Sequence, residues 1–326
     1  MAIIDKPSDY FNTKLWTGTG SNGNAISGIG FAPDLVWVKN RSEAYDHVWF
    51  DTIRGDNKHI ESNNTSSEEN EANTLAFDSD GYSVGTNTLN KSGNNIVGWS
   101  WLAGGTASSN TDGSITSSVS ANQDAGFSIG TYNGTGADNT VGHGLGVAPD
   151  MIIVKCKSTA HDWVVYHSAL GSGKILTLNA TTAAQSATGW QNTDPTSTVF
   201  SIDNAANSLN QSGQSFVFYA FAEKQGFSKF GSYTGNGSTD GTFVYTGFRP
   251  ALVMIKRTDG ADQWVIYDNK RTGFNVDNNP IFPNQSDAET TDDDMDILSN
   301  GFKFRRNSGR VNTSGGSYIY MAFAEE

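Results

Sequence analysis

The chain has 326 residues and a formal charge of −13 at pH 7. That acid excess repels phosphate backbones and excludes ordinary nucleic-acid binding. Only 17% of residues are charged and 36% are hydrophobic; 36 Gly with 18 Phe, 11 Tyr and 8 Trp favour short strands and frequent turns, and are too aromatic for disorder.

The length suggests two or three domains. The opening M-A-I-I-D-K-P-S-D-Y lacks a basic segment followed by an apolar one. No stretch approaches the roughly 20 apolar residues of a membrane helix. The expectation is a protein made in a cytosol that stays soluble, does not insert into membranes, and could leave the cell within a larger particle. The single cysteine, Cys156, lies in a strand-like run and reads as a small buried hydrophobe.

In chain order, the first unit opens with a G-x-G turn at Gly18 and Gly20 and reaches Pro33. An apolar run, L35-V-W-V38, follows and ends at Lys39. Apolar residues on both faces predict a strand buried on both sides. Next come the aromatic strand D46-H-V-W-F-D51, the polar insert 59–71, the turn D78-S-D-G81 and the turn N90-K-S-G93. The last strand, I96-V-G-W-S-W101, ends on a large aromatic.

The segment 104–125 is small and polar, and predicts a linker or docking arm in which S114-I-T-S-S-V119 could add an edge strand. The same series then recurs. The second unit has Gly134, Gly136, Pro149, M151-I-I-V154, Lys155, H161-D-W-V-V-Y-H167, N210-Q-S-G213 and F216-V-F-Y-A-F221. The third has Gly235, Gly237, Pro250, L252-V-M-I255, Lys256, D262-Q-W-V-I-Y-D268, the insert 278–296, T313-S-G315 and Y318-I-Y-M-A-F323. A period near one hundred residues is too long for a solenoid or propeller blade. The expected fold is all-β: three tandem β-sandwich domains of jelly-roll or lectin-like type, at 1–103, 126–224 and 225–326, each burying its own core. The inserts are expected to be surface loops, where binding differences concentrate.

Chemistry is sparse. Asp51 and Asp268 occupy matching places, but His167 stands there in the second unit, and nothing pairs two acids across one bond as glycoside cleavage requires. His47, His59, His143, His161 and His167 form no H-E-x-x-H, and one cysteine permits no C-x-x-C. D78-S-D-G81 begins like a calcium loop, but Leu89 stands where the closing glutamate belongs, so a turn is expected. The run D292-D-D-M-D296 reads as a solvated acidic loop, and G18-T-G-S-N-G23 lacks the lysine and helix of a phosphate loop. No catalytic, metal or cofactor residue is expected, and no enzyme. Trp16, Tyr45, Trp190, Tyr132 and Tyr233 are the candidate glycan or partner contacts, because exposed rings can stack on sugars; the competing reading has each plugging the end of a sandwich.

The phrases G-F-A-P-D-L-V-W-V-K-N-R at 30–41, D-H-V-W-F-D-T-I-R-G at 46–55, F-D-S-D-G-Y-S-V at 77–84 and G-H-G-L-G-V-A-P-D-M-I-I-V-K at 142–155 resemble a repeated domain in virion proteins of tailed bacteriophages, marine ones in particular. F-G-S-Y-T-G-N-G-S at 230–238 and L-S-N-G-F-K at 298–303 carry the same resemblance. It implies a β-sandwich unit on a virus particle: a head decoration, short fibre or tail-fibre tip, assembled in the host cytoplasm. Expected partners are then other capsid or tail proteins, a host surface glycan and further copies of the chain. A carbohydrate-binding protein and a polysaccharide depolymerase are the competing expectations.

Overall fold

The computed structural model describes residues 3–204, 206–275, 279–292 and 295–325. It is about 40% strand and 2% helical, with antiparallel sheets and, among the described residues, no closed barrel. In the first repeat the strands are β1 (Phe11–Thr17), β2 (Asn24–Ser27), β3 (Leu35–Asn40), β4 (Val48–Asp51), β5 (Lys58–Glu61), β6 (Glu69–Asn70), β7 (Leu75–Asp78), β8 (Gly81–Val84) and β9 (Asn95–Trp101). The arm contributes β10 (Ser108–Asn110) and β11 (Ser117–Asn122). The second repeat has β12 (Phe127–Asn133), β13 (Asn139–Gly142), β14 (Met151–Cys156), β15 (Val164–His167), β16 (Lys174–Thr177), β17 (Gln185–Ser186), β18 (Val199–Ile202) and β19 (Ser215–Phe221). The third has β20 (Ser228–Thr234), β21 (Phe243–Tyr245), β22 (Leu252–Arg257), β23 (Trp264–Asp268), β24 (Met295–Leu298), β25 (Gly301–Phe304) and β26 (Ser317–Phe323).

Each repeat makes a large and a small sheet. The large sheets run β1-β9-β3-β4-β5-β6, β10-β11-β12-β19-β14-β15-β16-β17 and β20-β26-β22-β23; the small ones run β2-β8-β7, β13-β18 and β21-β25-β24. In each repeat the first strand pairs with the last and the second with a late partner, which is the wrap of a jelly roll. The polar arm does dock: β11 pairs with β12 and extends the second large sheet.

The G-x-G loops and the N-x-S-G turns lock together in the same way three times. A Cβ on Gly18, Gly134 or Gly235 would fall 2.1, 2.3 or 2.3 Å from the carbonyl oxygen of Lys91, Gln211 or Thr313. Only glycine allows that approach. The turn's asparagine then holds the loop: Asn90, Asn210 and Asn312 accept from the backbone N–H of Thr19, Thr135 and Asn236 at 2.8, 2.9 and 3.0 Å.

Alternation along the apolar runs explains why both faces are buried. Val36 and Val38 of β3 face the first small sheet, while Leu35 and Trp37 face away from it. Ile152 and Val154 against Met151 and Ile153 repeat the division in β14, and Val253 and Ile255 against Leu252 and Met254 in β22. The second set of faces meets in one core drawn from all three repeats. This corrects the expectation that each unit closes on a core of its own: each does so on one side only. At the centre, the rings of Trp101, Phe221 and Phe323 lie 6.4, 5.7 and 5.8 Å apart, a near-equilateral triangle. The repeats therefore close around a pseudo-threefold axis and do not form a line.

Candidate functional site

The positions that recur in sequence build the joints between repeats. Lys39, Lys155 and Lys256 are buried, and each ammonium bonds one or two carbonyls of its own repeat and one of the preceding repeat in the ring. Lys155 Nζ donates to Thr65 O at 3.0 Å, Lys256 Nζ to Thr181 O at 3.1 Å, and Lys39 Nζ to Ser286 O at 3.1 Å, which closes the cycle. Burial pushes all three down to about 8, against the opposing pull of Asp46 and Asp287, Cys156 and Asp162, and Asp262 respectively. One step along, Trp163 Nε1 donates to Glu61 O at 2.8 Å and Trp264 Nε1 to Thr177 O at 2.9 Å. His47 holds the matching place, beside the Phe282 backbone.

These contacts correct the reading of the inserts as free binding loops. Segments 61–68 and 281–289 are clasps on the neighbouring repeat. Ser62 Oγ donates to Pro283 O at 2.9 Å, and Glu289 receives Arg41 of the first repeat and Arg271 of the third, all at 2.8 Å. Burial would raise Glu289, but the two guanidiniums together hold it down at about 2.

The matched acids follow the same cycle. Asp51 is buried against Arg54 at 2.5 Å and accepts Tyr219 Oη of the second repeat at 2.7 Å. Asp268 is buried against Arg271 at 2.6 Å and accepts Trp99 Nε1 of the first at 3.1 Å. His167 contacts Tyr320 O of the third at 3.2 Å. Where histidine replaces the acid, Leu170 replaces the arginine, so neither half of the Asp–Arg pair stands there without the other. Neither carboxylate faces solvent or the other, which removes them as a pair for glycoside cleavage.

Among the described residues, no three His, Cys, Asp or Glu side chains gather to hold a metal. His161 bonds Gln211 at 2.6 Å. Cys156 is buried beside Ser158 and Thr159. Asp80 of the D-S-D-G turn accepts Gly28 N and Gly30 N at 3.0 and 2.7 Å, which hold its carboxyl below the usual range. In the acidic run, Asp292 pairs with Arg306 and Arg310 and Asp296 with Arg305; Asp293 and Asp294 lie outside the described residues.

Of the five predicted ring contacts, Trp190 and Tyr132 are corrected outright. They are 1% and 3% exposed, inside the second small-sheet core, and offer no face to a ligand. Trp16 is half-buried edge-on to Tyr82 and donates to Leu89 O at 3.0 Å. Tyr233 is stacked between Tyr318 and Phe304 and donates to Val311 O at 2.8 Å. Tyr45 sits under Lys91, whose Nζ is 5.4 Å from its ring centre. Nothing brings the five together.

The exposed rings are elsewhere. On β21, Val244 points into the core while Phe243 and Tyr245 point outward, 44% and 62% exposed. Beside Tyr245 lies a groove of about 550 Å³ between the second and third repeats, lined by Val147, Asp150, Glu223, Gln225, Lys229 and Tyr245 among others. A signal for it was present in the sequence. The register equates Phe243 and Tyr245 with Ala25 and Ser27, and with Thr140 and Gly142, so only the third repeat places aromatics at those outward positions.

No curated protein matches the chain. Residues 6–326 match a family model described as a domain of unknown function, DUF7483, so all three repeats lie within one match and the chain belongs to that family.

Proposed function

We propose that the chain is a non-enzymatic surface protein of a tailed-bacteriophage virion, a head decoration, short fibre or fibre tip, that attaches to the particle and contributes to host adsorption. What supports this reading is the use of its recurring polar residues. Lys39, Lys155 and Lys256, and the Asp51, His167 and Asp268 positions, are consumed in holding three repeats in a ring. Repetition thus serves a rigid knob. The resemblance of its repeated phrases to virion proteins supports a location on the particle.

The test is a density map of intact particles that carry this chain, with the purified protein used to raise a gold-labelled antibody. Localised density of the ring and surface label are expected. A chain found only in the lysate, and never on the particle, sinks the reading. A host-glycan role is the second part of the proposal, favoured by the outward pair Phe243 and Tyr245.

A further inference from the structure

The aspartates at the end of the V/F-A-P-D phrases serve matching roles in two repeats, but only one is sealed. Asp34 is 4% exposed. Its Oδ1 accepts Thr52 Oγ1 at 2.8 Å, and its Oδ2 accepts Ala103 N at 2.8 Å and Gly105 N at 3.3 Å. The arm that begins at Gly104 covers it, with Gly104 N donating to Ser120 Oγ at 2.9 Å. Asp150 makes the first two contacts, to Ser168 Oγ at 3.1 Å and Glu223 N at 2.8 Å, and lacks the third. Between the second and third repeats the connection is short: the N-terminal segment touches it, with Ile4 N donating to Gln225 O at 3.2 Å, and among the described residues no counterpart of segment 104–122 lies over Asp150. The groove at that joint is the space the arm would fill.

Its lining is unusual for this surface. Val147 and Tyr245, two of the five large hydrophobics exposed among the described residues, line it, and Phe243 stands on the same outward face as Tyr245. Glu223 Oε1 accepts Lys229 Nζ at 2.6 Å, and among the described residues Oε2, the Gln225 side-chain amide and Tyr245 Oη make no hydrogen bond. An apolar ligand would strip water from Asp150 and Glu223 and return nothing. An anion meets two carboxylates, and a cation competes with Lys229 for Glu223. A neutral polyol with one C–H face satisfies every group: hydroxyls donate to Asp150 and Glu223, accept from Gln225 and Lys229, and the ring covers Tyr245.

We propose that this groove is a saccharide-binding site, with Tyr245 as the stacking platform and Asp150, Glu223 and Gln225 as the hydroxyl partners. The site rests on the host-glycan part of the reading above and gives it a place; it does not depend on the protein being on a particle, so its failure and that of the virion location are separate results. The experiment is saturation-transfer NMR on the full chain with methyl glycosides of glucose, galactose, mannose and N-acetylglucosamine, followed by titration of the strongest. At least one sugar shows transfer concentrated on its ring C–H protons. Tyr245→Ala, an exposed position whose loss leaves the unfolding midpoint unchanged, weakens that sugar about tenfold or more. Glu223→Gln weakens it less, while Tyr45→Ala, remote from the groove, leaves it unchanged. Absence of transfer from all four sugars overturns the proposal, as does binding that survives Tyr245→Ala.

Discussion

The phenol of Tyr219 donates a 2.7 Å hydrogen bond to Oδ2 of Asp51 across the joint between the second and first repeats, and both groups are buried. The same carboxylate oxygen takes Arg54 Nε at 2.5 Å, so phenol and guanidinium share one anion. Tyr219→Phe removes a hydrogen bond to a charge and is expected to cost about 1.5–3 kcal/mol. Asp51→Ala leaves the buried Arg54 guanidinium with only the more distant carboxylate of Glu68, at 3.6 Å, and is expected to cost about 3–5 kcal/mol. The second repeat shows the alternative, His167 with Leu170. Asp51→His combined with Arg54→Leu should therefore cost less than the two single changes added, by about 1 kcal/mol or more. Urea unfolding of the four proteins measures this; strict additivity would mean the pair is not a unit.

The Trp101, Phe221 and Phe323 triangle lies where no single repeat can enclose it. Each ring is buried by the other two repeats, so the ring of repeats should unfold in one cooperative step. Phe221→Ala opens a hole at the axis and is expected to cost about 3–5 kcal/mol. Residues 126–224 alone would expose Met151, Ile153, Trp163 and Val165, which the full chain buries. That fragment should lack near-ultraviolet circular dichroism and dispersed amide resonances. A well-dispersed spectrum from it would show that the shared core is dispensable.

Much of this fold was legible because repetition marks packing. The apolar runs beginning at Leu35, Met151 and Leu252 gave strands buried on both faces, and the terminal aromatics proved to be the axis. What local sequence could not supply was the partner on the second face. Period-two alternation says that Trp37 and Val38 point opposite ways, but both sides are apolar, so a private core and a shared one read alike. The inserts misled for a related reason. Segments 61–68 and 281–289 look polar and free, yet they bond through backbone carbonyls, such as Thr65 O and Ser286 O, which any residue provides. Trp190 and Tyr132 misled because a ring's exposure depends on its register, and Tyr245 was missed because its outward position emerges only when the repeats are aligned strand by strand.

The glycines that open each repeat make a sharper prediction than the turns they sit in. Gly134 would place a Cβ 2.3 Å from Gln211 O and 2.8 Å from the Phe216 ring. Neither can yield without parting the loop from its turn, so Gly134→Ala is expected to cost about 1–3 kcal/mol by overpacking. Gly235→Ala, 2.3 Å from Thr313 O, should cost the same, because the joint is the same. Gly213, by contrast, would place its Cβ in open space at φ +76°, so Gly213→Asn is tolerated. Equilibrium denaturation of the three variants distinguishes steric exclusion from backbone strain, and a mild Gly134→Ala would refute the packing account.

Three buried histidines share one hydrogen-bonding pattern that forbids a second proton. His167 Nδ1 accepts Ala169 N at 3.2 Å, His143 Nδ1 accepts Leu145 N at 3.2 Å, and His47 Nδ1 accepts the Trp37 indole N–H at 3.0 Å. Nε2 of His167 and of His143 then faces a carbonyl, Tyr320 O or Thr196 O, and donates its hydrogen there. Burial pushes His167 down to about 4, against the Tyr320 carbonyl, and pushes His47 and His143 down as well. Folded values below the unfolded value near 6.5 fix the sign. Above that pH both states are neutral and the histidines contribute nothing to pH dependence. Below it the unfolded chain takes protons that the folded one refuses, so stability falls, and for His167 the loss continues until about pH 4. Between pH 7.5 and 5 His167 alone should account for about 2 kcal/mol. Urea midpoints at pH 7.5 and 5 check this. His167→Gln keeps an amide donor for the Tyr320 carbonyl but cannot titrate, so its stability should decline less steeply by about one proton's worth. Equal slopes for His167→Gln and the parent protein would show that His167 is protonated in the folded state.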